Sequence, residues 1–211
     1  MMFRKADFKD MDDRFRANLI SSLSGFKSAN LVGTQDDAGN TNVAIVSSVF
    51  HLGANPALIG MIMRPHTVRR DTFENILSAG EYTINHVNHD IWQKAHQTSA
   101  RYPETVSEFS EVSLTPQWLD GIKAPFVAES RLKYALALRS CQTLEINGVE
   151  LVIGEVTHLE LDESAVTETG YLDIEALGSV AISGLDSYHV TQRLGRLSYA
   201  KPGIEPRLLT F

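Results

Sequence analysis

The chain has 211 residues, 43% of them hydrophobic and 21% charged, with a formal net charge of -7 at pH 7. That length suits one compact domain over residues 1–211, with a short polar lead-in over 1–20. The lone Cys141 excludes a disulfide scaffold, and the 14 glycines without a three-residue period exclude a collagen-like chain.

No apolar run nears the roughly 20 residues that span a bilayer. The N-terminal stretch MMFRKADFKDMDDRFR is charged throughout and has no apolar h-region of a secretory signal. A soluble, reducing, cytoplasmic setting is expected, with no membrane partner. The acidic balance argues against a nucleic-acid binder, which would show a basic face.

Strands begin near residue 29. Asn30 to Thr34 reads as a short apolar strand, and residues 35–40 (QDDAGN) as a hairpin loop of turn residues. Thr41 to Phe50 follows as a second strand rich in β-branched residues, broken by Gly53-Ala54-Asn55-Pro56. Ala57 to Met63 (ALIGMIM) is a third, apolar enough to be buried on both faces. A helix is predicted from Asp71 to Gly80. Asp71 stands at its N-cap, Glu74 completes a capping box, and Phe73, Ile76 and Leu77 share one face. Glu81 to Val87 returns as a strand, and Asp90 to Ala100 reads as a second helix with Ile91, Ala95 and Trp92 turned inward. Residues 101–125, with several prolines, read as a surface excursion. Leu132, Tyr134, Leu136 and Leu138 alternate with less apolar residues as in a half-buried strand. Asn147-Gly148 marks a hairpin, and Val149 to Leu161 pairs back from it. A short amphipathic segment (Tyr171, Ile174, Leu177) precedes the tail. This rhythm points to a mainly β protein, a closed antiparallel barrel with helices outside.

Two stretches carry candidate chemistry. Residues 63–72 (MRPHTVRRDT) hold three arginines, a histidine and two threonines against one acid, at the start of a helix. Helix-terminal N–H groups, arginine forks and threonine hydroxyls there suit a phosphate. A solvated basic turn paired with surface carboxylates reads the same way. In the strand 42–50, alternation fails at Ser47-Ser48. Two small residues there would let a flat ring lie against the backbone, or they mark a β-bulge. No Gly-x-Gly and no G-x-S-x-G occurs, which leaves dinucleotide, P-loop and nucleophile-elbow fingerprints absent. Cys141 reads as packing, and His86, His89 and His96 match no zinc spacing.

Together these stretches resemble the flavin reductase-like family, the FMN-binding split barrels that include flavoredoxin. The run NLVGTQDDAGNTNVAIVSSVFHLGANPALIGMIMRPHTVRRDTFENILSAGEYTINHV is similar to the family's core. VELVIGEVTHLEL, the Leu172-Asp173 region, and GLDSYHV followed by RLGRLSYAKP extend the likeness over most of residues 25–203. The resemblance implies a split antiparallel β-barrel that forms a homodimer, with FMN near the subunit interface. It places Val46, Ser47, Ser48 and Val49 along the flavin ring with Asn42 nearby, and Arg64, Thr67, Arg70 and Thr72 around the phosphate. Either Arg69 or Arg70 would face inward, and Tyr188 and His189 would approach from the C-terminal half. No side chain presents itself as an acid or base. Hydride transfer between a nicotinamide and flavin N5 is carried by the cofactors, so the implied chemistry needs none.

Three functions stay open on the sequence. An NADH- or NADPH-dependent flavin oxidoreductase would pass electrons to free flavin, a partner protein or oxygen. An FMN-binding electron-transfer protein would lack a nicotinamide reductase activity of its own. A split barrel binding another ligand, or none, would serve a regulatory role.

Overall fold

The computed structural model describes residues 1–103 and 105–209; residue 104, inside the predicted excursion, and residues 210–211 lie outside it. Seven strands form one antiparallel sheet. They are β1 (Asn30–Gln35), β2 (Thr41–Val46), β3 (Val49–Ala54), β4 (Ala57–Met63), β5 (Glu81–His86), β6 (Leu132–Leu144) and β7 (Val149–Leu161). Their order is β2-β1-β5-β6-β7-β4-β3. The two edges, β2 and β3, are therefore consecutive in the chain and joined only through Ser47-Ser48. Among the described residues no ladder pairs β2 with β3. The barrel is split along this seam, as the resemblance implies, and not closed as the strand rhythm suggests.

Local chemistry explains most strand limits. Between β1 and β2 the Asp36 carboxylate accepts from Ala38 N (3.0 Å) and Asn40 N (2.7 Å), which fixes the turn and a register running from Gln35↔Thr41 to Asn30↔Val46. Between β6 and β7, Gly148 takes φ 72°, as an Asn-Gly turn requires. Both faces of the sheet are covered. Leu31 and Val43 pack with Val87, Ile91, Ala95 and Phe109 on one side. Val32, Tyr82, Ile84, Leu136 and Val152 pack on the other, against Phe73 and Ile76 of a helix between β4 and β5.

Several expectations are corrected. The lead-in is helical: α1 (Asp7–Asp10) is followed by α2 (Asp13–Ser22), where Asp12 accepts from Arg14 N and Phe15 N, both at 3.0 Å. The second strand does not run on to Phe50 as one piece but stops at Val46 and resumes at Val49. β4 is buried only in its second half, because its first residues pair near the exposed turn at the Asn55-Pro56 peptide. The helix α3 (Asp71–Ala79) has Arg70 as N-cap, and Asp71 sits in the first turn, favourable to the helix dipole. Gly80 ends α3 with φ 67°, while Leu77 is exposed. The helix α4 spans only Trp92–Gln97. Its Trp92 is exposed while Ile91 and Ala95 are buried. The predicted excursion contributes buried Phe109, Val112, Leu114 and Ile122, with a short helix α5 (Glu108–Glu111). β6 is buried on both faces over its first five residues. Two short strands, β8 (Ala181–Ser183) and β9 (Ser187–His189), build a small second sheet with residues 27–28. Among the described residues no helix is long and apolar enough to cross a membrane.

Candidate functional site

The seam of the barrel opens into a cleft of about 1090 Å³. Its floor is the end of β2 and the serine link, and one wall is the end of β4 with the loop leading to α3. The opposite wall comes from α4, the segment after it, and the small sheet. Asn42, Val46, Ser47, Ser48, Arg64, Arg70 and Thr72 all line it. Val49 and Thr67 do not: Val49 pairs with Met61 and packs into the core, and Thr67 is exposed on the loop.

The serine link owes its shape to a cross-sheet pin. Ser48 Oγ donates to Ile62 O at 2.5 Å, and Ile62 N donates to Ser48 O at 3.3 Å. The Ser48 hydroxyl is thus committed to the fold, and it holds the link against β4 while β2 parts from β3. The open edge of β2 is partly covered. Val43 N donates to Glu108 Oε2 at 3.4 Å, and Ile45 N donates to Thr98 Oγ1 at 2.9 Å. Ser47 follows in the same alternation and lines the cleft, with no such cover among the described residues. Thr98 and Glu108 were missed from the sequence because both are remote in the chain from the strand edge that they cap. Burial pushes the Glu108 carboxyl up from its ordinary range, opposed by the N–H groups that it accepts from.

The basic loop is held from below by a buried polar network. Asn42 Nδ2 lies 2.8 Å from Thr72 Oγ1 and 3.3 Å from Thr34 Oγ1, and Asn75 Nδ2 donates to Thr34 Oγ1 at 3.2 Å. Turned over, the Asn42 amide would instead donate to Glu108 Oε2 at 3.2 Å and accept from Thr72. Either way Asn42 and Thr72 bond each other, and so tie β2 to the first turn of α3. His66 adds an outer brace, with Nε2 2.8 Å from Glu74 Oε1 and its ring 5.0 Å from that of Phe73.

Arg69 and Arg70 both reach the cleft, but they differ in kind. Arg69 is largely exposed, and its Nε donates to Asp71 Oδ1 at 3.1 Å. The Nε of Arg70 is buried and has no hydrogen-bond partner among the described residues. The helical ladder of α3 begins with Phe73 N and Glu74 N donating to Arg70 O (2.9 and 3.0 Å), so the N–H groups of Asp71 and Thr72 precede it. Among the described residues, five cations (Lys27, Arg64, Arg69, Arg70, Arg101) line the cleft against three carboxylates (Asp71, Glu108, Asp186), a formal +2 in a chain of net charge -7. Of the C-terminal pair, Tyr188 lines the cleft. His189 turns away: its Nε2 lies 2.8 Å from Ser183 Oγ and its ring packs on Phe26.

A split antiparallel barrel is the architecture of a known class, the split-barrel flavin proteins. Residues 24–176 match the model of the flavin reductase-like domain, and the chain belongs to that family. A solved structure of a protein assigned as a flavin reductase with a split-barrel domain, from Shewanella frigidimarina NCIMB 400, is 56% identical. It covers 95% of this chain and 100% of its own, with a TM-score of 0.92. Nitrilotriacetate monooxygenase component B from Bacillus cereus shares the fold at 21% identity and TM-score 0.82, over 93% of this chain and 98% of its own. Flavoredoxin of Desulfovibrio vulgaris (Miyazaki F) shares it at 23% and 0.68, over 85% of this chain and 92% of its own.

Proposed function

We propose that this chain is an FMN-dependent NAD(P)H oxidoreductase of the flavin reductase type, acting in the cytoplasm as a homodimer. The observation that carries the reading is Arg70, whose buried guanidinium Nε has no partner among the described residues, on the wall of a cleft whose described lining is cationic. A buried donor left unpaired costs about 1–3 kcal/mol, which a bound phosphate would recover. The residues present fit the cofactor. Arg64 and Arg70 supply charge-assisted donors for the phosphate, and the N–H groups of Asp71 and Thr72 add the favourable end of the helix dipole. Asn42 and Thr72 act as positioning residues that keep this cradle in register with β2. Small side chains at Ser47 and Ser48 leave the strand backbone open to a flat ring, and the Ser47 N–H is available to a polar ring edge. Val46 supplies an apolar contact at the same place.

Bound FMN would supply the redox chemistry, accepting a hydride from a reduced nicotinamide and passing electrons onward. The chain's own part is to bind, to orient and to keep water from the ring face. An electron-acceptor protein, free flavin or oxygen completes the turnover.

The test is titration of FMN into the purified protein and into Arg64→Ala/Arg70→Ala, followed by anaerobic rapid mixing with NADH and NADPH. The double variant should lose at least a hundredfold in FMN affinity, as expected from about 1.5–3 kcal/mol for each charge-assisted contact. Unchanged affinity would sink the phosphate assignment. Flavin that stays oxidised with both nucleotides would make the protein an electron carrier instead.

A further inference from the structure

The flavin reading uses the serine link and the basic loop, and leaves the opposite wall of the cleft without a task. Pockets for a single small ligand commonly run to roughly 300–1,000 Å³, and this cleft, at about 1090 Å³, exceeds them. Two aromatic side chains, Tyr188 and His96, stand on the unused wall, and Trp92, outside the cleft lining, packs against Tyr188. Tyr188, on β9, meets the ring of Trp92 at 5.4 Å between centroids and that of His96 at 5.7 Å, edge-on at 84°. Its hydroxyl lies 3.1 Å from His96 Nδ1. Trp92 and His96 are one turn apart on α4, and Tyr188 is fixed by strand pairing with Ile182, itself a lining residue. The arrangement brings together two segments 92 residues apart, and both His96 and Tyr188 face the cleft.

We propose that His96 and Tyr188 form the receiving wall for the reductant: His96 binds the nicotinamide carboxamide through Nε2–H, and Tyr188 is the positioning residue that fixes the imidazole. This rests on the reductase reading above. The chemistry follows from the hydrogen bond. Burial pushes the Tyr188 hydroxyl up to about 12, with Asp186 adding to it, so Tyr188 stays an O–H donor at working pH. In the tautomer in which Tyr188 donates to Nδ1, the proton of a neutral imidazole stands on Nε2, and a charged imidazole carries one there as well. In both states the free nitrogen donates, as a carboxamide oxygen requires. The flanking Ile182 and Leu185 give the flat ring an apolar side. A donor beside an apolar surface suits an uncharged aromatic amide better than a second phosphate.

The experiment uses FMN-loaded protein and a redox-inactive reduced analogue, tetrahydro-NAD(P)H, titrated by calorimetry. The variants are Tyr188→Phe, His96→Ala, His96→Gln and the double variant Tyr188→Phe/His96→Ala. FMN affinity of each apo-protein is measured in parallel. His96→Ala and Tyr188→Phe are each expected to weaken the analogue about tenfold and leave FMN affinity unchanged. His96→Gln, which retains an N–H at similar reach, should recover to within about threefold of wild type. The double variant should be no worse than His96→Ala, because Tyr188 acts through His96. Unchanged analogue affinity in both single variants, in a wild type whose flavin NAD(P)H bleaches, overturns this assignment alone. A parallel loss of FMN affinity overturns it in favour of a flavin contact. A wild type that binds FMN but neither the analogue nor NAD(P)H overturns the assignment together with the reductase reading. His96 is exposed, so its variants test the proposal even if Tyr188→Phe unfolds.

Discussion

Replacing Arg70 by methionine separates binding from folding, because the two effects have opposite signs. The aliphatic stem is kept, and the buried Nε that finds no partner among the described residues is removed. Leaving such a donor unsatisfied costs about 1–3 kcal/mol, and relief of part of this should stabilise the apo-protein by ~1 kcal/mol. For a chain of this size that raises Tm by about 2–4 °C. FMN loses charge-assisted contacts of about 1.5–3 kcal/mol, so its Kd should rise about 10- to 100-fold. Thermal unfolding without flavin and flavin-fluorescence titration measure the two halves. The neighbouring Arg69→Ala is the control. Arg69 is largely exposed and already pairs with Asp71, so its loss should change FMN affinity by about threefold or less. An Arg70→Met protein that melts lower and binds FMN as tightly as wild type would refute the reasoning, since Arg70 would then serve the fold.

Two further outcomes test the scaffold under the site. A Cβ on Gly33 would lie 2.1 Å from the Pro125 carbonyl oxygen and 2.6 Å from Thr83 Oγ1, which donates to that same carbonyl at 2.6 Å. Gly33→Ala should therefore destabilise by about 3 kcal/mol and lower Tm by about 6–12 °C in a thermal melt. His86 is half-buried, its Nδ1 3.1 Å from Ser179 Oγ, and desolvation lowers its pKa from an ordinary 6.5 to about 4. The unfolded chain takes up this proton near pH 6.5 and the folded one only near pH 4. Stability is thus whole above 6.5 and falls as pH drops between the two, by about 3 kcal/mol. Denaturant titrations at pH 7 and pH 4 should show a smaller acid loss in His86→Asn than in wild type; equal losses would mean that His86 does not titrate in this way.

The fold was legible where a local rule sets the structure. Gln35 to Asn40 carry their own turn, Asn147-Gly148 forces a hairpin, and Gly80 ends α3 in the left-handed region. Residues whose roles depend on distant partners were not legible. The Ser47-Ser48 interruption marks the seam only because Ser48 bonds Ile62 across the sheet. The helix α2 buries no residue and so carries no amphipathic signature. The choice between Arg69 and Arg70 turns on burial, which two adjacent identical residues cannot reveal. The likeness quoted over residues 30–87 located the basic loop and the serine link. The opposite wall, where His96 meets Tyr188, is assembled by tertiary pairing alone.

The most direct measurement is the visible spectrum of the purified protein supplied with FMN, recorded anaerobically before and after NADH or NADPH. Flavin should comigrate with the protein on gel filtration, and its band should bleach with at least one nucleotide. A protein that stays colourless after exposure to FMN would contradict the account at its centre.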